Sequence, residues 1–441
     1  MSDLEDQAGL ASIRQDALSI FQAGIAAADP YQAVKHYLAP TLFGNCSKVH
    51  LIAFGKAACA MAKAAQEIIP AGMLASRGLA VTNYENVTRI DNIDVIGASH
   101  PLPDETGLKA AHIIADRMKN TQKNELVLVL VSGGGSALIP YPADQITLQE
   151  KIAATDLLLA SGATINQINC VRKHLSRLKG GGLARMAVPA HLHALILSDV
   201  LGDDLSTIAS GPTIADNTTF ADAVEILKAK GVWDQAPINV RQYLEQGKLG
   251  IIAETPKPGD DAFKHNEHTL IGSNAISVNA MLQAAQNQSY EIKLYSNRLC
   301  GEAREEAEKL VIHAKALTIS KPTALLAGGE TTVTLKGNGR GGRNQEMALA
   351  FAIAAKQHGL TGNWVFLSGG TDGRDGPTDA AGGLVDRYTI ERMAQAGVNP
   401  INLLENNDSY TALKTSNDLV NTGATGTNVA DLQILLIQPA S

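Results

Sequence analysis

GGETTVTLKGNGRGGRNQEMALAFAIAAK, residues 328–356, sets the reading of the whole chain. Thr331–Leu335 is a β-branched run that reads as a strand, Gly337–Gly342 carries four glycines in six positions, and from Asn344 the residues are Ala-rich helix formers. Strand, glycine loop and helix in that order make an α/β unit. Its loop would present bare amides at a helix N-terminus, which is a cradle for an anion.

Two chemistries use such a cradle. Gly337, Gly339 and Gly342 fit G-x-G-x-x-G, the dinucleotide fingerprint, which also needs an acidic residue about 20 positions further on for the ribose. Residues 356–368 contain no Asp or Glu, and Asp372 lies too far along, inside another glycine loop. Arg343 and Asn344 open the helix where a dinucleotide site packs small residues. An Arg there suits a bidentate grip on phosphate or carboxylate. Taken alone, the glycine pattern is equally that of a surface hairpin loop.

The 441 residues leave room for two or three domains, each with its own core. A hydrophobic share of 45% with 4% aromatics and 40 glycines favours α/β layers with small residues at the contacts and many βα turns. The net charge of -7 is mild and spread out, which speaks against a nucleic-acid surface. No polybasic patch is present, and no apolar run approaches the roughly 20 residues of a membrane span. The acidic start MSDLEDQ does not read as a secretion signal. Cys46, Cys59, Cys170 and Cys300 form no C-x-x-C pair, so neither a disulfide frame nor a zinc knuckle is expected. A reducing cytoplasm is the expected location.

In chain order, Ile13, Ala17, Ile20, Phe21 and Ile25 mark a helix that Asp29-Pro30 separates from a second one. VHLIAFG (49–55) reads as a buried strand feeding a helix, which puts Lys56 at the strand's carboxyl end, where open α/β sheets bind ligands. Further strands are expected at 78–82, 93–99, 126–131, 193–199, 291–295, 323–327 and 432–437, with WVFLSGG (364–370) preceding a last glycine loop. His100–Glu105 is a rigid turn capping the next helix, Thr147 and Glu150 form a capping box, and Ser273 caps a third helix. Ile165–Ala184 reads as one helix closed by three glycines, and Gly301–Ala316 as a Glu-rich helix. The irregular, Pro-containing stretch at 248–267 is the expected boundary between domains at 1–250 and 265–441, the N-terminal helices being free to pack on the second.

Five polar glycine-rich loops then stand at strand ends: Gly55-Lys56, Ser132–Ala137, Ser198–Ser206, Gly337–Glu346 and Gly369–Asp379. They offer what phosphoryl transfer needs, namely backbone amides on phosphates, cations on developing charge, and carboxylates for a metal or an acceptor hydroxyl. No Walker A sequence occurs. Each piece also has a plainer reading. Lys56 suits a solvated strand end and Ser132–Ser136 a tight βα turn, whereas Asp199 leaves a buried strand and needs a ligand or hydrogen bonds. Asp203 and Asp204 read as turn and cap residues. Asp372, Asp375 and Asp379 have calcium-loop spacing without the terminal Glu, and turn chemistry competes. His191 and His193 read as a surface strand rather than a metal pair. The serines around Gly133–Gly135 do not form G-x-S-x-G.

Taken together, AFGKAA (53–58), SHPLPDE (99–105), SGGGSAL (132–138), NCVRKHLSRLKGGGLA (169–184), SDVLGDDLSTIASGPT (198–213), the opening stretch, GGTDGRDGPTDAAGG (369–383), NDSY (407–410) and TGATGTNVADLQI (422–434) resemble the class II glycerate kinases. This is the glycerate 2-kinase family with a MOFRL-type C-terminal domain. The likeness covers nearly the whole chain, in the family's order. Ala424 departs from it, standing where the family has Pro.

The resemblance implies ATP-dependent, magnesium-assisted phosphorylation of D-glycerate, chiefly to 2-phosphoglycerate. The implied fold is α/β in two domains: a larger Rossmann-like α/β/α domain with a mostly parallel sheet, a smaller C-terminal α/β domain, and an active site in the cleft between them. Lys56, Asp199 and Arg343 match the catalytic positions. Ser132, Gly133, Gly134, Gly135 and Ser136 would cradle phosphate or the substrate carboxylate, and Arg172, Lys173 and Glu330 join the substrate- or nucleotide-binding set. Gly339, Gly341, Gly342, Asn344, Asp372 and Asp375 complete it, and the metal ligands stay open with Asp199 and Asp372 as candidates. The expected partners are small molecules, D-glycerate and ATP, without nucleic acid or membrane; a homodimer is compatible. Family members also carry the name hydroxypyruvate reductase, so an NAD(P)H-dependent reductase is the alternative, and a non-catalytic phosphosugar-binding regulator is a third reading.

Overall fold

The structure, a computed structural model, describes residues 3–44 and 46–439. It divides into two compact units, Pro30–Ile271 and the chain up to Asp29 together with the chain from Gly272 onward.

In the first unit, β1 (Val49–Phe54), β2 (Gly78–Asn83), β3 (Ile93–Ala98), β4 (Leu126–Val131), β5 (His191–Leu197) and β6 (Asn266–Gly272) form one sheet in the order β3-β2-β1-β4-β5-β6. The pairs among β1 to β5 are parallel. Every residue of β4 is buried, as its unbroken apolar run requires of a strand covered on both faces. On one face Ile52, Phe54, Val129 and Ile196 pack against Ala111, Ile114 and Met118 of helix Glu105–Met118 and Leu183 of helix Gly182–Ala187. Helix Ala58–Ile68 lies against β1 and β2 outside that cluster, with Met61, Ala62 and Ala65 buried. A separate helical core, centred on Leu158, Phe220, Leu227 and Leu244, joins helices Leu148–Ala160, Ile165–His174, Phe220–Ala229 and Ile238–Lys248. The capping box at Thr147 and Glu150 and the Asp104 cap are both present.

Two expectations change here. The helix from Ile165 ends at His174 rather than running to Ala184. Gly180 and Gly181, both with positive φ, turn the chain into the separate helix Gly182–Ala187, and the turn brings Lys179 back beneath Ser136. The irregular stretch after Lys248 does not end the unit. Leu192 N donates to His265 O (3.1 Å), Asp216 N to Pro256 O (2.9 Å), and β6 adds to β5, so residues 251–271 fold with the first sheet. The polar sequence NEHTL hides β6 from an apolar-run criterion.

The second unit holds β7 (Glu291–Leu299), β8 (Thr323–Gly329), β9 (Trp364–Gly370), β10 (Gly382–Asp386), β11 (Leu419–Val420) and β12 (Asp431–Ile437) in the order β11-β10-β9-β12-β8-β7. Only β7 and β8 pair in parallel; the last strand, β12, inserts antiparallel between β8 and β9. Helices Ala303–Ala316 and Arg343–His358 cover one face. The other face is covered by helix Asn274–Asn287, which Ser273 caps, and by the first helix, Asp3–Ala27, whose Ile13, Ile20 and Phe21 pack with Met281 and Ile434. Arg14 adds ion pairs to Asp386 and Asp418. The first 29 residues thus belong with the C-terminal sheet.

The opening stretch also differs from its reading. Thr331–Leu335 is no strand; it makes one isolated bridge, Glu302 with Thr332, and Leu335 is 78% exposed. The strand before the glycine loop is β8, and residues 330–342 separate it from the helix that begins at Arg343.

Candidate active site

In the first sheet the strand order reverses between β1 and β4, and open α/β sheets bind ligands beyond the carboxyl ends of the strands at such a point. Phe54 pairs with Val131, so Gly55-Lys56 and Ser132–Ser136 leave the sheet side by side. Lys56 N donates to Gly133 O (2.9 Å), Ser132 N to Phe54 O (3.0 Å), and Ala57 N to Ser132 Oγ (3.1 Å). The Ser132 hydroxyl therefore fixes the start of helix Ala58–Ile68 and is buried, which gives it a structural duty. A Cβ at Gly133 would overlap the Asp199 carboxylate, so only glycine lets Asp199 lie against this loop. Gly134, at φ 84°, sits beside the His100 ring and the Lys56 side chain. Lys56, Asp199 and Ser132–Gly135 are thereby brought together, with Lys56 exposed and Asp199 half-buried. Asp204 closes its own turn through Ser206 N (2.9 Å) and Thr207 Oγ1 (3.0 Å), as a cap residue should.

On the other side of the same loop lies a cavity of about 330 Å³. His100, Gly134, Ser136, Lys151, Arg172 and Lys179 line it, with apolar walls from Leu102, Pro140, Ile152 and Leu159. Lys151 and Lys179 are 5% and 2% exposed, and no carboxylate forms an ion pair with either among the described residues. Their ammonium groups donate to the Leu175 and Ser136 carbonyls at 3.1 and 2.8 Å. Burial, and then the neighbouring cations, drive the Lys151 pKa well below the ordinary lysine value; burial and Arg172 bring Lys179 down to about 7. Burial also lowers Arg172, against the pull of Asp156, and burial with the Lys56 charge lowers His100. Lys173, expected among the ligand-binding residues, points elsewhere: it is buried in an ion pair with Asp216 (3.3 Å). Its neighbour His174 bonds Cys170 O and Glu254, and despite its burial is raised to about 9.

The second unit treats its glycine loop differently. The amides of Lys336 and Gly337 donate to Asn407 Oδ1 (2.7 and 3.0 Å), that of Gly339 to Asn406 O (2.9 Å), and that of Arg340 to Asp408 Oδ1 (3.2 Å). Asp375 takes the helix N-terminus, accepting from Gln345 N (2.8 Å), Asn344 N (3.1 Å) and Asn344 Nδ2 (3.2 Å). Gly342 has no Cβ because one would strike that carboxylate, and Gly341 is pressed in the same way against Ser409. Arg343 forks onto Asp431, Nε to Oδ2 at 2.6 Å and Nη2 to Oδ1 at 3.0 Å, while Nη1 meets Glu330 at 2.7 Å. Burial lifts the Asp431 carboxyl to about 6 although Arg343 opposes it. The loop that reads as an anion cradle is thus filled from within. Asp372 accepts from Arg374 N (3.0 Å) and Asp379 from Tyr410 Oη (2.8 Å), so the three loop aspartates have separate partners. Among the described residues no three His, Cys, Asp or Glu side chains gather as a metal cage. A magnesium ion held mainly by triphosphate oxygens needs only one or two carboxylates, and Asp199 is suited to that.

Comparison with known proteins agrees with both halves of the chain. Residues 16–245 match a family described as a domain of unknown function, DUF4147, and residues 323–431 match the MOFRL family. A D-glycerate 2-kinase of Thermotoga maritima is 42% identical over 97% of this chain and 99% of its own. The crystal structure of a glycerate kinase from the same organism superposes with a TM-score of 0.89 at 41% identity, covering 97% of this chain and all of that one. The chain belongs to the glycerate kinase family. A relative from Agrobacterium vitis, 43% identical over 97% of this chain and 95% of its own, carries the provisional name hydroxypyruvate reductase.

For a glycerate kinase of the MOFRL type the glycine loop before Arg343 is not a dinucleotide turn. β8 ends at Gly329, the loop amides serve residues 406–408, and Asp375 sits where a pyrophosphate would have to go. The reading of individual residues missed Lys151, Lys179 and His100. One signal was available for Lys151, which lies three residues after Leu148 and three before Ala154, on the stripe that Leu148, Ala154 and Leu158 bury. Lys179 carries no such mark, because its burial follows from the turn at Gly180-Gly181.

Proposed function

We propose that this glycerate kinase transfers the γ-phosphoryl group of ATP to the 2-hydroxyl of D-glycerate, and that the transfer takes place at the β1/β4 crevice. The observation that carries the reading is the Asp199 carboxylate lying against Gly133 beside Lys56. In the proposed reaction Asp199 orients the acceptor hydroxyl and receives its proton, the acceptor oxygen bonds to phosphorus, and the bond to the ADP oxygen breaks. Lys56 neutralises charge on the phosphoryl oxygens, and the amides of Gly133–Gly135 hold phosphate. Arg343, expected among the catalytic residues, forks onto Asp431 and meets Glu330 in the second unit, and the proposed step at the β1/β4 crevice does not draw on it. Bound magnesium would supply further charge neutralisation on the triphosphate, with Asp199 as its protein ligand. The cytoplasm remains the proposed location; Cys46, Cys59, Cys170 and Cys300 are all free thiols, and among the described residues no helix is long and apolar enough to cross a membrane.

Initial-rate measurement of ADP release tests the reaction class. The expected result is release that depends on D-glycerate, with no NADH consumed when hydroxypyruvate is offered. NADH oxidation without ADP release would overturn the kinase reading in favour of the reductase.

A further inference from the structure

Three basic side chains, Lys151, Arg172 and Lys179, and the Asp156 carboxylate line one pocket in the Pro30–Ile271 unit, and the proposed phosphoryl transfer uses none of them. The ammonium groups of Lys151 and Lys179 each have three N–H donors, and among the described residues each meets one backbone carbonyl. Cations buried without a carboxylate partner weaken a fold, so they mark places where an anion arrives. Arg172, half-buried beside them, adds a planar fork of donors. Gly134 and Ser136 form the wall of this space nearest the crevice, and Gly134 also touches Lys56.

We propose that this pocket holds the carboxylate of the acceptor, with Arg172 and Lys179 as the residues that select a small hydroxy acid over a neutral polyol. The proposal rests on the kinase reading for the identity of the acid. A nucleotide triphosphate fits less well, because the walls formed by Leu102, Pro140, Ile152 and Leu159 are apolar. Asp156 lines the pocket together with Lys151, Arg172 and Lys179, and this mixed lining suits a single carboxylate better than a polyanion. An acid anchored here lies along the Ser132–Ser136 loop, its hydroxyl carbons extending past Gly134 toward Lys56.

The test uses the full chain, with Arg172→Gln and Lys179→Met. Each variant is expected to raise the KM for D-glycerate about 10- to 100-fold, the range for a lost hydrogen bond to a charged group, while the KM for ATP changes by less than about twofold. Calorimetric titration with D-glycerate in the absence of nucleotide should show the same loss of affinity, and the methyl ester of D-glycerate should bind the wild type weakly. Lys179→Met removes a buried charge and should melt no lower than the wild type, so weakened binding in a variant of undiminished Tm separates ligand contact from unfolding. A wild type that binds D-glycerate without transferring phosphate overturns the kinase reading alone, and the binding comparison still decides the pocket. Variants that bind D-glycerate as the wild type does overturn the proposal. So does a rise in the KM for ATP with that for D-glycerate unchanged, which would make the pocket a nucleotide phosphate site.

Discussion

Two glycine-rich loops, Ser132–Ser136 and Gly337–Gly342, look alike in sequence and behave oppositely in the structure. Around the first, the lysines at 151 and 179 are buried without carboxylates and Asp199 stands at the strand ends. Around the second, Asp375 caps the helix, Asp431 and Glu330 hold Arg343, and residues 406–408 consume the amides. The difference is one of occupancy. Glycine clears space next to a backbone in both loops, for Asp199 at Gly133 and for Asp375 at Gly342, but only in the second do carboxylates also hold the helix N-terminus and the neighbouring cation. Buried lysines without a paired carboxylate, not glycine spacing, tell a ligand loop from a structural one.

The largest effects should fall at the open loop. Lys56→Ala and Asp199→Asn are each expected to lower kcat about 10²- to 10³-fold, the range for losing one group aimed at transition-state charge, with an unchanged circular dichroism spectrum. Near-normal turnover in either variant would remove that residue from the proposed reaction. At the filled loop the main effect should be on stability. Arg343→Gln leaves Asp431 buried without its fork and should lose about 3–5 kcal/mol in urea unfolding. An unchanged midpoint would mean that Arg343 is not committed to Asp431. Asp375→Ala uncovers the helix N-terminus and should cost about 2–3 kcal/mol in the same measurement.

A pH-dependent effect belongs to the open loop alone. Lys179 has a folded value near 7 against 10.5 in the unfolded chain, so the unfolded state binds more protons in that interval and stability should rise as pH climbs from 7 toward 10. Thermal melts of wild type and Lys179→Met across this interval should differ in slope, the variant lacking this contribution. Parallel curves would show that Lys179 is not held in a depressed state.

Much of the fold was legible because buried parallel strands announce themselves as unbroken apolar runs, as LVLVLV of β4 does. β10 was hidden because its Gly382-Gly383 reads as loop. Glycine is required there because a Cβ at Gly382 would collide with Ser368 O in the neighbouring strand. β11, two residues long, is too short to carry a period. Thr331–Leu335 has strand residues but no partner beyond one bridge, and β propensity alone does not make a ladder. In the candidate site, Lys56, Asp199 and Ser132–Ser136 were legible because they follow strand ends. The lysines of the cavity were not, because a lysine on a helix or turn is ordinarily solvated and only the tertiary packing removes these two from water.

Phosphorus NMR of the full chain incubated with ATP, magnesium and D-glycerate tests the central claim most directly. The expected outcome is loss of the ATP γ resonance with growth of ADP and of one monoester signal coinciding with authentic 2-phosphoglycerate. Intact ATP, or ADP accompanied by inorganic phosphate alone, would contradict it.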